Sequence, residues 1–149
     1  MAAAFMGDYP EICSDYLSNT VRSLEYTMKN LYPDGVWAES SNYWYHVARS
    51  LMYSCATLEN IYGTDFNLLS FPGVEGTGIA NMAVRSMVAN YNYHDAADEK
   101  IYASHPMGYF GKRFNQRELL AARRATVEKS FDSRMADVQI FVADALYYD

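Results

Sequence analysis

The stretch "DGVWAESSNYWYH", Asp34 to His46, lies between two helical patterns and decides how the chain is read. An ordinary connector needs only turn residues. This one holds two Trp, two Tyr, a Glu and the first His of the chain. Upstream, Ile12, Cys13, Tyr16, Leu17, Val21, Leu24, Met28 and Leu31 recur mostly three and four apart, the spacing of one apolar helix face. Asp8, Pro10 and Glu11 form the start signal of that helix: a capping side chain, Pro in the first turn and a carboxylate behind it. Its stop is "YPDG", because Pro33 cannot continue the ladder and Gly35 suits a positive φ.

Downstream, a second helix is expected from near Asn42 to Tyr62, with Val47, Ala48, Leu51, Met52, Cys55, Leu58 and Tyr62 as its stripe and Gly63 as its C-terminal cap. "GTDFNLLSFPGVEGTG" reads as a long loop. A third helix, roughly Thr77 to Ala89, carries Ile79, Met82, Ala83 and Met87. "NYNYHDA" reads as extended and then as loop. After Ala96 the pattern is one of short helices, interrupted by Pro106 and Gly108, with His105–Pro106 ending one of them. Asn115 with Glu118 is a capping-box pattern that opens a helix through about Glu128. Ser133 opens the last helix, with Met135, Val138, Phe141, Val142, Ala145 and Leu146 on one side. No run alternates with period two. The expected fold is therefore all-α, a single domain of consecutive helical hairpins.

Composition narrows the function classes. The chain has 149 residues and a formal charge of −6, so general binding to a phosphate backbone is disfavoured. No apolar run reaches the roughly 20 residues of a membrane span. The start, "MAAAFMGDYP", has no basic leader and does not read as a signal peptide. Cys13 and Cys55 sit on apolar helix faces and read as buried free thiols. The three His have no metal-ligand spacing, so neither a metal nor a cofactor is expected. Fourteen Tyr is the unusual count. Tyr pairs a flat apolar face with a hydroxyl, which suits sugar rings and interfaces as well as wet core edges.

If Asn42 starts a helix, Tyr43, His46, Ser50 and Tyr53 share one face, with Arg49 beside it. The positive end of the helix dipole favours an anion there. A free phenol titrates near 10. Arg49, or a protonated His46, would stabilise the phenolate of Tyr43 and make it a competent base for a weakly acidic C–H. Glu39 is placed to orient the Tyr43 loop or to cap the coming helix. His94 and Asp95 stand in a loop-like stretch that could line a cleft.

The same residues carry a resemblance. In order along the chain stand "SLEYTM" (Ser23–Met28), "YPDG" (Tyr32–Gly35), "ESSNYWYH" (Glu39–His46), "GTDF" (Gly63–Phe66), "FPGVEGTG" (Phe71–Gly78), "NYHDA" (Asn92–Ala96) and "KRFN" (Lys112–Asn115). Together they resemble the heparinase II/III-like family of polysaccharide lyases. The resemblance implies that the hairpins belong to an incomplete (α/α) toroid, followed in the family by a β-rich domain. It implies β-elimination on an acidic polysaccharide containing uronic acid. Tyr43 would take the C5 proton and pass a proton to the glycosidic oxygen. Trp44, His46, Arg49, Glu39, His94 and Asp95 would contact substrate.

The sequence departs from the family pattern in several places. Ser40, Ser41 and Asn42 stand where relatives often have a Gly-Pro-Gly-like run, and His94 stands where Gly is common. The family's carboxylate-neutralising Asn or His lies before Asp8, where "MAAAFM" reads as the last turn of a helix. Both ends of the chain are thus expected to be cuts through something larger. Weak activity or none is expected of the chain alone. Faces left open by missing helices predict a homo-oligomer. A full-length relative would be periplasmic or secreted. Two other classes stay open: a non-catalytic helical module that binds sugar or self-associates, and a glycoside hydrolase that pairs Glu39 with Asp95.

Overall fold

The structure, a computed structural model, describes residues 7–84, 93–94 and 105–132. Among these it is all-α. Its helices are α1 (Pro10–Lys29), α2 (Ser41–Tyr62), α3 (Thr77–Ala83), α4 (His105–Arg113) and α5 (Arg117–Asp132), with one short 3₁₀ turn at Leu68–Ser70. The "MAAAFM" start, Asp95, Met87 and the helix expected from Ser133 lie outside the described residues.

α2 is the centre of the core. Ser40 caps it, its hydroxyl accepting from the Tyr43 N–H at 3.3 Å. Gly63 closes it at φ 71°, a left-handed conformation that only glycine adopts without strain. Between the caps, Ser41, Trp44, Ala48, Leu51, Met52, Cys55, Ala56 and Leu58 are buried. Fully burying each large apolar side chain of this set stabilises by about 1.5–3 kcal/mol. Burial pushes the Cys55 thiol up to about 12, with Asp65 and Glu59 adding to the effect, so it stays a neutral apolar filler. The expected end of the stripe is open rather than covered, since Tyr62 is 38 % exposed.

α1 matches its expected bounds but not its expected burial. Met28 is its one buried residue. Leu17, Val21 and Leu24 are half-buried, while Ile12 and Tyr16 are 46 % and 57 % exposed. Cys13 is half-buried, not buried, and lies 3.5 Å from the Tyr62 hydroxyl. Nor does Asp8 cap the helix. The cap position is Tyr9, which makes no side-chain bond, and Pro10 takes the first turn. Proline needs no acceptor there and presets the helical φ, so the start stands without a capping side chain.

α4 corrects the expectation that His105–Pro106 ends a helix. The helix runs on through them to Arg113, and every residue from His105 to Gly111 is buried. Phe110 packs against Trp44 with ring centroids 6.4 Å apart and stacks on Phe114 at 6.2 Å. Arg113 reaches back to Glu59 of α2 at 3.0 Å. The pair is partly exposed to solvent and contributes at most about 1 kcal/mol.

The turn into α5 is also corrected. Asn115 has φ 54° and lies in the turn, so it does not cap α5, and the expected capping box does not form. The Gln116 N–H donates to the Gly111 carbonyl at 2.8 Å, while the Gln116 side-chain amide donates to the Glu75 carbonyl at 2.8 Å. The loop after α2 is tied into the core as well. The Asp65 carboxylate accepts from the N–H groups of Asn67 and Leu69 at 3.1 and 3.0 Å, which sets the 3₁₀ turn and buries Leu68 and Leu69. On α3, Thr77, Gly78 and Asn81 face inward, and Ile79 points outward at 36 % exposure.

Candidate functional site: the lip before helix α2

The connector's two turn motifs are interlocked. The Thr77 hydroxyl donates to the Gly35 carbonyl at 2.8 Å and accepts the Trp44 indole N–H at 2.8 Å. One buried hydroxyl therefore joins the "YPDG" turn, the "YW" pair and the "PGVEGTG" loop. Gly73 seals the same junction. Its φ is +89°, and a β-carbon there would fall on the Leu31 carbonyl. Leu31 itself is buried two residues beyond the end of α1.

This junction sorts the aromatic residues of the connector. Trp44 is 1 % exposed and is fixed in the core. It offers no face to a ligand, and its place is beneath the lip. Tyr43, one residue earlier, is 44 % exposed at the start of α2. Its ring lies 6.2 Å from that of His46, and His46 lies 5.4 Å from Tyr45. Tyr45 is half-buried and meets the edge of the buried His105 at 5.5 Å, and His105 in turn lies 6.1 Å from Tyr53. The face expected to carry Tyr43, His46, Ser50 and Tyr53 thus runs from exposed Tyr43 to half-buried Tyr53.

Arg49 stands over the Tyr45 ring, 5.2 Å from its centroid, and not against Tyr43. Ser50 donates to the His46 carbonyl at 2.9 Å, a local helix bond. Glu39 neither caps α2 nor contacts Tyr43. One of its carboxylate oxygens accepts the Trp37 indole N–H at 3.2 Å. His94 is exposed in a turn at φ 49°. Its neighbour Tyr93 donates its hydroxyl to the Trp37 carbonyl at 3.1 Å, which brings this segment to the lip.

Val36, Trp37, Trp44, Ala80, Asn81, Val84 and Tyr93 line a shallow crevice beside the lip that encloses no space even for a water molecule. Small-molecule pockets occupy roughly 300–1,000 Å³. The crevice is therefore not itself a small-molecule pocket.

The residues that sequence reasoning missed are Thr77, Trp37 and Tyr93. A signal existed for one of them. Trp37 and Glu39 are two apart in a non-helical stretch, and alternate residues of extended chain share a side. Thr77 and Tyr93 act across 42 and 56 residues of chain, which no local pattern reveals. Among the described residues, no three His, Cys, Asp or Glu side chains gather as a metal site, and no helix is long and apolar enough to cross a membrane. No protein-family model matches the chain, and no curated protein does.

Proposed function

We propose that the chain is part of an (α/α) toroid of a polysaccharide lyase, with Tyr43 as its proton-transfer residue. The observation that carries this is the contrast within one dipeptide. Trp44 is locked below by Thr77, and that lock holds Tyr43 outward at the positive end of α2. A phenol fixed in this way can meet the C5 hydrogen of a uronate lying across the lip. The phenolate takes that proton, the C5–H electrons form a C4–C5 double bond, and the C4–O bond breaks. The new phenol proton then goes to the departing glycosidic oxygen, which restores the phenolate. His46 and Arg49 lie on the side where the sugar carboxylate can be held, and charge stabilisation of the enolate-like intermediate lowers the barrier most. His94, beside Tyr93, extends the same rim, and Asp95 follows it in sequence.

The hydrolase alternative would pair Glu39, whose carboxylate accepts the Trp37 indole N–H, with Asp95, which lies outside the described residues. The test is the near-ultraviolet absorbance of the unsaturated product on a 1,4-linked uronate polymer. Weak product formation is expected, and Tyr43→Phe should lower it by about 10²-fold or more with the fold intact. Product formed equally by the Tyr43→Phe variant, or new reducing ends without the absorbance, would overturn the assignment.

One observation favours a second reading, a self-associating helical module. Ile12, Tyr16, Ile61, Tyr62 and Phe66 are 46, 57, 47, 38 and 37 % exposed on α1 and around the end of α2. Apolar surface of this kind seeks partners. Sedimentation showing a monomer at all concentrations would count against a homo-oligomer.

A further inference from the structure

We infer that α1 pairs with α1 of a second copy of the chain, antiparallel, through the side that it turns away from the core. The inference deepens the self-association reading above by naming the partner and the face, and it does not depend on the lyase chemistry. α1 carries two rows of residues in helical register. Leu17, Val21, Leu24 and Met28, spaced four, three and four apart, pack against the core. Ile12, Tyr16, Asn19, Ser23 and Tyr26, spaced four, three, four and three apart, form the second row. With 3.6 residues per turn the two rows lie on nearly opposite sides of the helix. All five residues of the second row are exposed, Tyr16 by 57 % and Tyr26 by 67 %. Alternating steps of three and four keep one seam turned toward a partner helix over successive turns.

Charge selects the partner and the direction. Along one flank of this row, seven residues apart, stand Asp15, Arg22 and Lys29. Lys29 lies over the Tyr26 ring, 5.0 Å from its centroid, at the end of the row. The other flank, at the same spacing, holds Cys13, Thr20 and Thr27 and no charge. In a parallel pair each flank meets the opposite flank of its partner, so no ion pair forms. In an antiparallel pair the charged flank meets itself end for end. Asp15 of each copy then comes beside Arg22 of the other, and two-fold symmetry makes the contact twice. Both side chains are exposed and within reach. The same direction sets Ile12 opposite Ser23 and Tyr16 opposite Asn19, so that large side chains meet smaller ones. A second copy is therefore the complement of this face. The row spans only about 21 Å of helix. A seam so short buries less than the roughly 1,200 Å² at which stable complexes begin, so a dissociation constant on the order of 100 µM is expected. At micromolar concentration the chain therefore unfolds as a monomer.

Sedimentation velocity of the full chain, from about 5 to 500 µM in roughly 0.1 M salt, reads the association directly. A monomer–dimer equilibrium is expected, weaker at high salt. Asp15→Arg sets two cations against each other and Arg22→Glu two carboxylates, so each variant alone should dimerise about ten-fold more weakly. An equimolar mixture of the two variants should regain the association, because the basic flank of one meets the acidic flank of the other. Tyr16→Ala should also weaken it. Circular dichroism should be unchanged in all three variants, since none of these side chains is buried.

A monomer throughout, whether the row faces water or another part of the chain, would overturn the pairing and the self-association reading together. A dimer that neither charge reversal disturbs would overturn the pairing and leave self-association through another face standing. Weakening by both reversals with no recovery in the mixture would overturn the antiparallel direction.

Discussion

The first two helices make opposite use of similar sequence patterns. α1 and α2 are 20 and 22 residues long, and both carry an apolar face at helical spacing. α2 buries eight residues and α1 buries one. The difference lies in what stands opposite. α2 faces the Gly35–Thr77 junction on one side and α4 on the other, whereas much of α1 has only half-covered neighbours. Periodicity tells which face of a helix is apolar; it does not tell whether another element covers that face.

The largest expected effect breaks the comparison at the junction. Gly73→Ala places a β-carbon on the Leu31 carbonyl at φ +89°. It should cost about 3 kcal/mol or more in urea unfolding, since the clash adds to the strain of that conformation. Gly63→Ala is the control. Its φ is +71°, but nothing lies within 4 Å of the added carbon. Only conformational strain remains there, about 1–2 kcal/mol. Equal losses for the two would mean that the turns are not interlocked.

Alkaline pH should act on the packed side of the comparison. The folded Cys55 thiol titrates at about 12 against an ordinary value near 9, because burial disfavours the thiolate. Burial also pushes the Tyr109 hydroxyl well above the ordinary phenol range. Both groups bind their protons more tightly when folded. The stability they supply is complete below pH 9 and is lost as pH rises from there toward 12. Circular dichroism across that window should show stability falling only above pH 9. A thiol reagent at pH 8 should label Cys13 in the native chain and reach Cys55 only after unfolding.

The smallest effect belongs to the open face. Ile12→Ser and Tyr16→Ser should each change stability by about 0.5 kcal/mol or less, because neither side chain is buried. A loss of several kcal/mol would show that this face is covered in solution, and its concentration dependence would reveal whether a second copy covers it.

The helix class was legible because α1 and α2 combine strong periodicity with clear stops at Pro33 and Gly63. The helix across Pro106 was not, since a proline in the sequence reads as a terminator, while here the helix continues from His105 to Arg113. Of the site, Tyr43 and His46 were correctly placed on one face by helical spacing. The same spacing put Arg49 beside them, but it could not foresee that the guanidinium prefers the Tyr45 ring. The resemblance placed Trp44 among the substrate contacts. Its indole N–H finds Thr77, 33 residues away in sequence, and that long-range bond makes it core.

The most direct test of Tyr43 as the proton-transfer residue does not need bond cleavage. The chain is incubated with a 1,4-linked uronate oligosaccharide in D₂O, and loss of the C5–H signal is followed by NMR. Exchange at C5 that disappears in Tyr43→Phe, with all other ring protons unchanged, is the expected result. Exchange that continues at the same rate in Tyr43→Phe would contradict it.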